Sequence, residues 1–79
     1  MPTYGYVVSP SAKRGYNKNV RVYRIINNKP KFLAEGDYQS ASWRDAKGEA
    51  QVLIQKKEGF KQAPRGYGFV RKDIELYEL

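Results

Sequence analysis

The chain contains no cysteine and no histidine. The first absence excludes a disulfide framework and a thiolate zinc site. The second removes the commonest general base and the commonest metal ligand together. No apolar run approaches the roughly 20 residues of a membrane span, and the N-terminus lacks the charged-then-apolar pattern of a secretory signal. Catalytic groupings are missing as well. No serine has a histidine or cysteine to work with, and no phosphate-cradling glycine loop with Lys-Ser/Thr occurs. The closest carboxylate pairs, Glu35 with Asp37 and Asp73 with Glu75, are same-face neighbours on expected strands. The expectation is a cytoplasmic, non-catalytic protein with no cofactor, no metal and no membrane partner.

What is present is positive charge, tyrosine and glycine. Seventy-nine residues make one domain, 1–79, with a thin core. The hydrophobic fraction of 41% is that of a folded protein. The net charge of +7 is segregated: residues 1–34 carry seven basic groups and no acid, and residues 56–72 carry six bases and one acid. Between them, residues 35–55 hold four acids and two bases. Basic blocks around an acidic middle fit a polyanion partner.

Alternation and turn chemistry predict the elements. Residues 3–9 read as a first strand, with Tyr4, Tyr6 and Val8 on one face. Residues 9–19 read as a flexible basic loop. Residues 20–26, rich in β-branched side chains, form the clearest strand. Asn27, Asn28, Lys29 and Pro30 supply a turn, and residues 31–39 return with Phe32, Ala34, Gly36 and Tyr38 on a common face. Ser42 is the expected N-cap of a helix whose stripe is Trp43, Ala46, Ala50, Leu53, Ile54 and Lys57. Trp43 is expected to anchor the core, Gly48 to mark a close approach to the sheet, and Gly59 to stop the helix. A second loop follows at about 59–66, then a strand over 67–77. The expected fold is α+β, a small two-layer domain of order β-β-β-α-β with one helix on one face of an antiparallel or mixed sheet.

The run Arg65-Gly66-Tyr67-Gly68-Phe69-Val70-Arg71-Lys72 resembles the longer RNP motif of RNA-recognition-motif domains, matching seven of its eight positions and departing at Lys72. The resemblance implies that Tyr67 and Phe69 lie on a sheet and stack on bases. It covers only these eight residues. The rest of the chain departs from that family: a turn stands where the family has a helix, and only seven residues follow Lys72. The same Gly-Tyr-Gly-Phe run also reads as a structural bend with buried aromatics. In architecture alone, the strand-strand-strand-helix order resembles small DNA-binding modules that lay a three-stranded sheet in the major groove.

These observations lead to a nucleic-acid-binding expectation, DNA or RNA undetermined. Lys13, Arg14, Lys18, Arg21, Arg65, Arg71 and Lys72 are the expected phosphate contacts. Tyr16, Tyr67 and Phe69 are the expected stacking groups. The alternative is a small protein-binding module or inhibitor that engages an acidic protein partner through the same surface, since Tyr and Arg are favoured interface anchors.

Overall fold

The computed structural model describes residues 3–61, apart from the side chain of Trp43. Within them lie β1 (Thr3–Pro10), β2 (Lys18–Ile26), β3 (Lys29–Tyr38) and α1 (Trp43–Glu58). The strands form an antiparallel sheet of order β1-β2-β3. The helix packs on one face, giving a small α+β domain. The expected strand over 67–77 and the core role expected of Trp43 lie outside the described residues and side chains.

The β2–β3 turn is tight because Asn27 and Asn28 both take positive φ, 52° and 62°. That pair of conformations makes a two-residue type I′ turn, whose twist matches the strands it joins. Pairing therefore resumes at Lys29, opposite Ile26, two residues earlier than alternation predicts. A second departure lies further along. Val22 pairs with Ala34 but Tyr23 pairs with Phe32, so Leu33 is an extra residue in β3. Such a bulge breaks the period of two. Ala34 stays with Gly36 and Tyr38 toward the helix, while Phe32 goes to the other face. There its ring meets Tyr23 edge-on, with centroids 5.9 Å apart.

The core is Tyr4 and Val8 from β1, Val20 and Val22 from β2, and Ala46, Ala50 and Ile54 from α1. The helix contributes at i, i+4 and i+8, one face of a 3.6-residue period. Its two alanines let the helix lie close to the sheet. Each fully buried valine or isoleucine here contributes about 1.5–3 kcal/mol through the hydrophobic effect. Gly36 seats the Tyr38 ring over this core: a Cβ at that position would stand 2.8 Å from the tyrosine hydroxyl.

Both helix ends are capped as the sequence predicts. The Ser42 hydroxyl accepts from the Arg44 N–H, and Gly59, in the left-handed region at φ 75°, donates its N–H to the Gln55 carbonyl. Gly48 differs from expectation. It is exposed, and a Cβ built on it meets no described residue within 4 Å. It marks no approach to the sheet, and it lowers helix stability by about 1 kcal/mol relative to alanine.

Candidate functional site

β3 runs from the hairpin turn to the opposite end of the sheet, and α1 then returns alongside it. The helix start lies beside Lys18, whose ammonium donates to the Ser42 carbonyl at 2.7 Å. The helix end lies beside Arg24 and Tyr4. Glu58 is 3.9 Å from the Arg24 guanidinium, and the Phe60 ring stands edge-on to Tyr4 at 6.2 Å. The molecule thus has two poles. One gathers the β1–β2 loop, the end of β3 and the helix start. The other gathers the Asn27–Asn28 turn and the helix end.

The loop pole contains every described residue expected to contact phosphate. It is the more nearly neutral of the two, with six cations against four carboxylates. Lys18 is a correction. It is 3% exposed and its ammonium sits 2.6 Å from Glu49, because the helix start closes over it. Burial of a charge requires such pairing, and the pair ties β2 to α1 rather than facing solvent. Arg21 is exposed but bridges Glu35, its cross-strand partner, at 3.0 Å. Lys13 lies over the Tyr16 ring at 4.9 Å. Arg14 and Tyr16 share its loop, with Arg14 exposed.

That loop spans residues 11–17 rather than 9–19, and both its ends are tied. Ser11 donates to Asp37 at 2.6 Å, and the Asn17 N–H donates to the Tyr38 carbonyl at 2.9 Å. The hydrogen bonds from Ser11 and from Asn19 hold the Asp37 carboxyl below the ordinary carboxylate range. On the sheet face away from the helix, Asn19, Arg21, Glu35 and Asp37 line a shallow polar cavity of about 280 Å³ with Ser9 and Lys13. The same face carries buried Val7 and Tyr23, 9% and 2% exposed. With two carboxylates and little exposed base, it does not present the alternating basic ladder that a sheet laid in a major groove uses.

Among the described residues, the turn pole holds six cations, Arg24, Lys29, Lys31, Lys56, Lys57 and Lys61, against Glu58 alone. Register brings Lys31 opposite Arg24 and Lys29 opposite Ile26. All but Arg24 are exposed, and among the described residues none of the five lysines pairs with a carboxylate. Exposed Ile26 and Phe60, 43% and 37% accessible, stand among them. Beneath, burial and then the charge of Glu58 push the Tyr4 hydroxyl above its ordinary pKa. Sequence reading counted these lysines in its basic blocks but did not group them. The signal that would have done so is the length of β3 and α1. A ten-residue strand followed by a sixteen-residue helix running back along it returns the chain to the end of the sheet that holds Arg24 and Tyr4.

The other expected contacts, Arg65, Tyr67, Phe69, Arg71 and Lys72, lie outside the described residues. No group of three or more Asp or Glu residues that could hold a metal occurs among those described. No described helix is long and apolar enough to cross a membrane. Comparison with models of known protein families, with curated proteins and with solved structures finds no match.

Proposed function

We propose that the domain is a non-catalytic nucleic-acid-binding module whose principal phosphate contacts are the lysines of the turn pole. The observation that carries this reading is the division of charge. Each of the five described carboxylates has an internal partner: Arg21 for Glu35, Ser11 for Asp37, Ser40 for Asp45, Lys18 for Glu49 and Arg24 for Glu58. Among the described residues the larger excess of positive charge lies toward one end, on three segments that the Arg24–Glu58 and Tyr4–Phe60 contacts bring to the same pole. Cations arranged in this way neutralise successive phosphates and release counterions. Arg14 and Lys13 extend the contact at the far end, and Arg65, Arg71 and Lys72 add to it. Tyr67 and Phe69 keep their proposed stacking role on unpaired bases.

The test is fluorescence anisotropy with short DNA and RNA oligonucleotides, single-stranded and duplex, across a salt series. Lys29→Glu with Lys31→Glu is expected to weaken binding at least tenfold and to lower the salt slope by about 2, the effect of two lost phosphate contacts. Lys13→Glu with Arg14→Glu is expected to have the smaller effect. An affinity that stays flat with salt, or that ignores the Lys29 and Lys31 reversal, defeats the proposal.

A further inference from the structure

A second surface lies along the flank of α1 that faces the end of β3. Arg44, Gly48, Val52 and Lys56 follow one another at intervals of four, so they form a single exposed stripe. With Tyr38, Asp45 and Glu49 they line an open groove of about 610 Å³. Three features mark this groove. Val52 is 44% exposed at its centre. Gly48 weakens the helix, yet no described residue lies within 4 Å of where its Cβ would be. Arg44 and Lys56, about 18 Å apart along the helix axis, pair with no carboxylate among the described residues. The groove's own acids are already held: Glu49 by Lys18 at 2.6 Å and Asp45 by the Ser40 hydroxyl at 2.8 Å.

A glycine inside a helix that the fold does not need fits a backbone approaching from outside. An exposed valine between two cations fits an apolar side chain flanked by carboxylates. We infer that this groove docks a segment of a partner protein, with an apolar residue seated over Gly48 and Val52 and acidic residues reaching Arg44 and Lys56. The inference does not depend on the nucleic-acid reading, because only Lys56 belongs to both surfaces.

The probe is a phage-displayed library of random peptides, selected on the wild-type domain and counter-selected on a Gly48→Phe variant that fills the groove. Enriched peptides are expected to carry Asp or Glu on both sides of an apolar residue, and to shift amide resonances of residues 38, 44, 48, 52 and 56. Gly48→Ala separates binding from folding. It is expected to raise Tm, as alanine does in an exposed helix interior, while weakening the selected peptides about tenfold. Arg44→Glu with Lys56→Glu is expected to abolish their binding. The inference is overturned if no peptide is enriched over the filled variant, if the enriched peptides lack acids, or if Gly48→Ala binds them unchanged. It is also overturned if sedimentation shows that a second copy of this chain closes the groove.

Discussion

At the scale of single residues, the most informative position is Lys18. As one polar residue between Asn17 and Asn19 it reads as a solvated loop cation. Its fate is set by Glu49, thirty-one positions away, and by the helix start that covers it. Nothing local in the sequence carries that information. The pair predicts an asymmetry. Glu49→Ala leaves a buried ammonium uncompensated and should destabilise the domain by about 3 kcal/mol. Replacing both partners, Lys18→Met with Glu49→Leu, should recover most of that loss. Urea denaturation of the wild type and the two variants checks the order.

Asp37 provides a pH dependence at the same scale. Its folded pKa lies below its unfolded one, chiefly through the Ser11 hydrogen bond and then that of Asn19. The stabilisation is therefore fully present above the ordinary carboxylate range and is lost as pH falls through the folded value. Asp37→Asn should lower Tm at neutral pH, and the difference from wild type should shrink on acidification. A difference that persists at low pH would trace the effect to packing instead.

At the scale of elements, three of the strands and the helix were legible because their signals are local. The Ser42 cap, the Gly59 stop and the Ala46, Ala50 and Ile54 stripe need only neighbouring residues to be read, and the structure bears them out. The hairpin was legible in kind but not in register. Alternation assumes a period of two, and the extra residue at Leu33 breaks it, so Phe32 was assigned the wrong face. The turn itself offers a test. Asn28 holds φ 62° where glycine adopts the same conformation without a Cβ penalty. Asn28→Gly should keep the fold and change stability by less than about 1 kcal/mol. Backbone shifts confined to residues 27–29 would confirm the turn type.

At the scale of the whole molecule, charge counted along the chain and charge counted in space give different sites. Sequence alone points to Lys13, Arg14 and Lys18, which lie around Tyr16 within six residues of one another. In space that loop lies among Glu35, Asp37, Asp45 and Glu49, while the lysines of the hairpin turn and of the helix end lie toward the other pole. The difference arises from the helix turning back along β3, which no composition window reports. That reversal has a physical consequence beyond where contacts form. Because one end is more positive than the other, the described residues carry a permanent electric dipole from one pole to the other. Near a polyanion, such a dipole is turned before it touches anything. On the proposed reading the turn pole faces the polyanion first, and dissolved salt weakens this steering together with the phosphate contacts.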